Sequence, residues 1–376
     1  MTTAHAPASG RTDDRPAAGG LVLSAWSALS PYGTGAEVYG AGIRDALAAV
    51  TPLDPEEYPG PNPGPYDRAG LVPGFSAAGA LGRKGTRTMD RVTALAVATF
   101  GQLLEHCGPA LLERSERVGL VLGTGSGSVQ STMDFTRDSL TGDRPYLVDP
   151  ARFPNTVMNR AAGQSAIWHQ VRGPNTTIAG GWLTGLLALG YAARLHRGGH
   201  CDRVLCGVAE EFSVQRAWLE WHAAEGAARP PLGEGGAAWL LEPADAARRA
   251  GRPAIARLLG TGFRAYHEPD GAGPALTECI RSVLADAGVA AGTVRIVAPL
   301  GTDGEEAAVR AALPDGARPE WIRCRPLLGD TSAAATGFQT AAVLAAAGAG
   351  RLPGGAPALV TGIDRDGTVG CALLSG

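Results

Sequence analysis

Residues 153–199 read FPNTVMNRAAGQSAIWHQVRGPNTTIAGGWLTGLLALGYAARLHRGG, and the apolar spacing in this stretch changes period twice. Phe153 to Val171 carries helical spacing, the run TTIAG at 176–180 reads as a strand, and Trp182 to Arg197 returns to helical spacing. Helix, strand, helix is the working unit of an α/β fold. The alternation continues outward. On the N-terminal side, LVLSAWSALS from Leu21 is a buried strand that enters a Pro/Gly turn, with a helical stretch near 36–50 behind it. Further on, Val92, Leu95, Ala96, Phe100, Leu103 and Leu104 share one helical face, and RVGLVLGTG at 117–125 is an apolar strand ending in glycines. RVLCGVAEE at 203–211 and AAWLLEP at 237–243 add two strands.

A second series of the same kind follows residue 250. It comprises strand AIARLLGTGFRAY, a helix near 274–287, strand VRIVAPLG at 294–301, a helix at 305–313, a strand near 320–324, a helix at 333–347 and two closing strands. Two consecutive series of similar order predict duplicated halves, two sheets held between helices. The expected division is a loose tail at 1–20, an N-terminal half at 21–250 and a C-terminal half at 251–376. Seven prolines between positions 52 and 73 remove backbone donors and predict a surface loop.

Composition narrows the function. The 376 residues carry a formal charge of −3, and Lys84 is the only lysine among 33 basic residues. No dense basic run or basic-aromatic stripe is present, which argues against nucleic acid as a partner. The six cysteines, at 107, 201, 206, 279, 324 and 371, show no CxxC pairing, so neither a disulfide frame nor a zinc site is expected. No cofactor-binding or metal-ligating motif stands out. The first twenty residues lack the apolar core of a signal peptide, and no apolar run reaches membrane-spanning length. The expectation is a cytoplasmic protein with no membrane partner.

The stretch at 153–199 resembles the central segment of β-ketoacyl synthases, the condensing enzymes of fatty-acid and polyketide assembly. SPYGTG at 30–35, LGRKGTRTMDR at 81–91, VGLVLGTGSG at 118–127, GVAEEFS at 207–213, LGEGGAAWLLE at 232–242 and RPLLGDTSAAATGFQTAAVL at 325–344 carry the same resemblance. It implies a thiolase-like fold, a five-layer αβαβα sandwich.

The resemblance also implies where chemistry would sit. Condensation in that family needs a cysteine nucleophile at a helix start, where the thiolate is favoured, and two histidines. The nucleophile lies nine residues after the glycine of GPNTT; counting from Gly173 reaches Trp182, and an indole has no lone pair to attack a thioester. Leu300, in Pro299-Leu300-Gly301-Thr302, stands where the first histidine is expected. Asp330 stands where the second is expected, with Arg325 in place of the preceding lysine. The glycine-rich loop near the C-terminus is altered to Ile363-Asp364-Arg365-Asp366-Gly367-Thr368, which puts the oxyanion site in question.

Loss of all three reacting groups inside well-kept surroundings resembles the chain-length factors, or ketosynthase beta subunits, of type II polyketide synthases. These keep the fold without the active cysteine and pair with a catalytic ketosynthase, with the chain tunnel at their interface. The resemblance implies a heterodimer with a ketosynthase and transient contact with an acyl carrier protein. It assigns Met158, Thr176, Thr177 and Ile178 to the interface, and Val129, Met133, Phe135 and Phe153 to the tunnel wall. Trp182 would fill the abandoned substrate space, burying roughly 150–250 Å² at about 25 cal/mol per Å²; equally, it is an ordinary core aromatic. Arg83, Lys84, Arg87 and Arg91 either meet an acidic carrier protein or form an internally paired helix start. Two other readings keep the same residues: an acyltransferase or malonyl decarboxylase working through Asp330 or water, and a homodimeric acyl-binding protein.

Overall fold

The computed structural model describes residues 20–54, 64–224 and 230–376. The expected tail, apart from Gly20, and residues 55–63 of the Pro-rich loop lie outside the described residues.

The N-terminal half contributes strands β1 (Leu21–Ser30), β2 (Val118–Gly123), β3 (Asn175–Ile178), β4 (Arg203–Glu210) and β5 (Gly235–Pro243). The C-terminal half contributes β6 (Ala256–Ala265), β7 (Ile296–Pro299), β8 (Glu320–Trp321), β9 (Pro357–Asp364) and β10 (Thr368–Ser375). Within each half the strands pair in the same spatial order: β3-β2-β4-β5-β1 and β8-β7-β9-β10-β6. Pairing sense repeats as well. The outer two contacts of each half are parallel and the inner two antiparallel. The halves are therefore duplicated in topology. They join where β1 meets β6 antiparallel over a short register, Leu21 opposite Leu258 to Leu23 opposite Ala256.

Helices repeat at matching places: α1 (Arg91–Cys107), α3 (Arg160–His169) and α4 (Thr184–Arg197) in the first half, and α6 (Ala272–Asp286), α7 (Glu305–Ala312) and α8 (Ala335–Gly348) in the second. The strands read as near-continuous apolar runs because both sheet faces are covered. Along β4, Val204, Cys206 and Val208 join the core around α4 and α8, while Leu205 and Ala209 join the core under α1 and α3. In the second half Leu359 and Leu373 face α6 and α7, whereas Ala358 and Leu374 face the central layer. Helices, sheet, paired helices, sheet, helices make the five expected layers. Middle-layer α8 is apolar nearly all round, as a helix buried on every side must be. The two central helices cross closely at Gly185, where a Cβ would stand 2.5 Å from the Gly337 nitrogen.

Three segments correct the sequence reading. The helix expected over 153–171 is only α3; Pro150–Thr156 forms a 3-10 segment instead, with Pro154 inside it. Conversely, α2 (Val129–Thr141) and α5 (Val214–Ala223) form where no helix was delimited. Among the described residues no helix is long and apolar enough to cross a membrane.

Candidate functional site

The candidate site lies where the start of α4 meets the ends of β7 and β9. Gly181–Leu183 is a 3-10 turn leading into α4, and Trp182 sits on it at the mouth of the helix. Its indole, Pro299, Leu300, Ile363, Arg325 and Arg365 line one cleft of about 1160 Å³. The Trp182 ring forms part of the cleft wall.

Trp182 is held on every polar atom. Its indole N–H donates to Asp330 Oδ1 at 3.1 Å, its amide N–H donates to Asp364 Oδ2, and its carbonyl accepts from Thr336 Oγ1 at 3.0 Å. The Arg325 and Arg365 guanidiniums lie 4.8 and 5.3 Å from the ring centroid, within cation–π range. Each cation has its own carboxylate: Arg325 pairs with Asp330 at 2.6 Å and Arg365 with Glu220 of α5 at 3.1 Å. Asp330 also accepts from the Ser332 amide at 2.9 Å. Both of its oxygens accept hydrogen bonds within the protein.

Leu300 is buried, and its loop is organised by Glu305, a fully buried carboxylate at the start of α7. Glu305 accepts from the amides of Leu300, Gly301 and Thr302 at 2.8–3.1 Å and from Thr361 Oγ1 at 2.7 Å. Burial pushes its carboxyl upward, opposed by these donors. Trp182 and Leu300, far apart in sequence, thus line one cleft, and Asp330 is joined to it through the Trp182 indole.

No cysteine lines the cleft among the described residues. All six are buried and free. Burial pushes Cys201 and Cys206 upward and Cys324 to about 12, so none of these three is a thiolate near neutrality. Among the described residues no group of His, Cys, Asp and Glu is placed to hold a metal ion.

The basic cluster divides. Arg91 is an internal partner, pairing with the buried Glu234 and donating to the Phe75 carbonyl at 3.1 Å. Arg83, Lys84 and Arg87 are exposed.

Away from the cleft, Val129, Met133 and Phe135 lie on α2, none of whose residues is buried. The Phe135 and Phe153 rings stand 6.1 Å apart. Met158 is exposed, and Thr176 to Ile178 form most of β3, the outermost strand of its half. Sequence reasoning missed Arg216 and Glu305. Arg216 is buried and donates to the carbonyls of Glu211, Gly233 and Asp330, fixing the Asp330 loop. Asp364 and Arg365 carried one signal, their departure from a glycine-rich loop.

The duplicated five-layer architecture, with a cleft at the α4 start, defines a thiolase-like ketosynthase fold. The model of the N-terminal domain of β-ketoacyl synthases matches residues 22–247, and the chain belongs to that family. A solved structure described as the ishigamide ketosynthase/chain length factor is 41% identical, covering 95% of this chain and 99% of that one, with a TM-score of 0.85. The 3-oxoacyl-[acyl-carrier-protein] synthase 2 of Vibrio cholerae serotype O1 is 30% identical over 259 residues, 62% of each protein. The chain thus matches under two-thirds of that relative's length. The AntDE:AntF structure, a type II acyl-carrier protein in complex with its ketosynthase, shares the fold at 16% identity and a TM-score of 0.78.

Proposed function

We propose that this chain is a non-catalytic chain-length factor, the subunit that pairs with a cysteine-bearing ketosynthase and shapes the tunnel for a growing polyketide chain. One observation carries the reading: the helix-start position that would hold the acyl thioester is an indole, tied by hydrogen bonds and cations to its surroundings. Removing a catalytic nucleophile costs on the order of a millionfold in rate. The alternative of chemistry through Asp330 has less support, because both Asp330 oxygens are engaged.

The surface supports a partner. Eight of the eleven exposed large apolar side chains among the described residues fall between Met133 and Ile167. Clustering of that kind marks an interaction face. Beside it in sequence, β3 pairs only with β2 among the described residues and so presents an outer edge for another strand. In this reading Met158, Thr176, Thr177 and Ile178 lie at the contact with the ketosynthase, and Val129, Met133, Phe135 and Phe153 wall the tunnel beside it. An acyl carrier protein visits the assembled pair.

Co-expression with a cysteine-bearing ketosynthase and a carrier protein tests this. The expected result is a 1:1 complex that elongates malonyl units, with no elongation by the present chain alone. A lone homodimer that condenses malonyl units would overturn it.

A further inference from the structure

We propose that Asp364 is a built-in occupant of the amide at the mouth of α4, so that the chain is closed to acyl transfer twice: by Trp182, and independently by Asp364. This rests on the non-catalytic reading and extends it to a residue outside the three replaced positions.

The amides at the start of a helix are anion binders, and an amide aimed at a reacting carbonyl is what stabilises the oxyanion of acyl transfer. The Trp182 N–H is such a group, placed one turn ahead of a 14-residue helix. Here it already holds an anion. Asp364 is 2% exposed; its Oδ2 accepts from the Trp182 amide and its Oδ1 from the Asp366 amide at 2.9 Å. The carboxylate arrives from the other half of the molecule, at the end of β9 opposite Thr368 of β10. Tyr266 donates its hydroxyl to the Asp364 carbonyl and fixes the backbone there.

Gly181 shows that the seat is matched to its occupant. Its φ is +55°, and a Cβ on it would stand 2.1 Å from Asp364 Oδ2. A side chain at 181 and the Asp364 carboxylate therefore exclude each other. The groups facing position 182 are Arg325, Arg365, Asp330 and Asp364, and of the two carboxylates only Asp364 takes the backbone amide. Restoring a thiol at 182 thus leaves the oxyanion amide blocked.

The test uses the full-length chain and an acyl-N-acetylcysteamine thioester, with acylation followed by intact mass. The thiol displaces N-acetylcysteamine, so the reaction is thioester exchange and needs no further reagent. Trp182→Cys alone should acylate about 100-fold more slowly than Trp182→Cys/Asp364→Gly, the loss expected for one oxyanion donor. Trp182→Cys/Asp364→Asn keeps an acceptor on the amide and should stay near the slow rate. Equal rates for Trp182→Cys and Trp182→Cys/Asp364→Gly, including no labelling of either, overturn the proposal while leaving the non-catalytic reading standing. If the Gly variant does not fold, Asp364→Ala in the parent chain decides: hydrogen exchange at the Trp182 amide should accelerate at least about tenfold for loss of a hydrogen bond to a charged group, and unchanged exchange overturns the assignment.

Discussion

The indole N–H of Trp182 donates to Asp330 at 3.1 Å, joining positions 148 residues apart, and the second Asp330 oxygen takes Arg325 at 2.6 Å. Trp182, Asp330 and Arg325 thus form a polar triad, and its energetics are testable. Asp330→Ala leaves a mostly buried guanidinium, an indole N–H and the Ser332 amide without their acceptor. Breaking a buried pair from one side costs about 3–5 kcal/mol; with Arg325 18% exposed, about 2–4 kcal/mol is expected after allowing for solvent screening. Asp330→Asn keeps an acceptor for Trp182 and Ser332 and should cost about half as much. Urea denaturation orders the three proteins, and equal midpoints would deny the triad any contribution.

Trp182→Ala separates packing from chemistry. Full truncation of a core Trp costs about 3–5 kcal/mol, and a ring on a cleft wall should lose about 1–3 kcal/mol. Elongation by the reconstituted heterodimer should stay within about threefold of the parent, far from the effect of removing a nucleophile. A hundredfold loss of rate in an intact complex would assign chemistry to this cleft.

Much of the fold was legible because its layers impose simple periods. Strands such as β2, covered on both faces, read as unbroken apolar runs, and helices such as α1 carry a clear apolar face. Trp182 and Asp330, singled out in stretches that resemble family motifs, are brought into contact by the fold. Other features were not legible. Helix α2 (VQSTMDFTRDSLT) buries none of its residues and so carries no complete apolar stripe. Pro154 lies inside the 3-10 segment Pro150–Thr156, and the helix expected over 153–171 is reduced to α3. The Asp364 contact joins residues 182 positions apart through the register of a hairpin, and no local pattern encodes such a distance.

Chain length should respond to the aromatic pair beside α2. The Phe135 and Phe153 rings are 6.1 Å apart, and apolar walls of this kind set the depth of a cavity. In the reconstituted complex, Phe135→Ala or Phe153→Ala should lengthen the main product by at least one extension unit, and Met133→Trp should shorten it. Mass spectrometry of the products reads the result. An unchanged product distribution in all three variants removes these residues from the tunnel.

Ile167 tests the partner face. It is 67% exposed on α3, so Ile167→Asp should change the stability of the isolated chain by no more than about 0.5 kcal/mol. In a complex with the ketosynthase the same change places a carboxylate in an apolar contact and should weaken association at least tenfold, about 1.4 kcal/mol. Size-exclusion chromatography of the co-expressed pair distinguishes the outcomes, and an unaffected complex would move the interface elsewhere.

Glu211 makes the fold sensitive to alkali. It is fully buried and accepts from Ser128 Oγ, the Gln130 amide and the Val92 amide at 3.1–3.2 Å. Burial pushes its carboxyl to about 8 from an ordinary 4.5; the Gln130 amide and Ser128 hydroxyl pull it down, while Asp90 and Glu210 push it further up. The native state therefore keeps a proton that the unfolded chain has released, and stability falls as pH rises. The contribution is fully present below about pH 4.5 and lost as pH passes about 8, with a slope of no more than about 1.4 kcal/mol per pH unit. Glu211→Gln keeps the shape and an acceptor but cannot ionise. Glu210 and Glu305, also pushed upward by burial, impose the same trend on parent and variant, so the difference between the two proteins isolates Glu211. Urea denaturation at pH 5.5, 6.5, 7.5 and 8.5 should show the variant gaining on the parent by about 1–3 kcal/mol across the series; parallel curves would place the titration on another group.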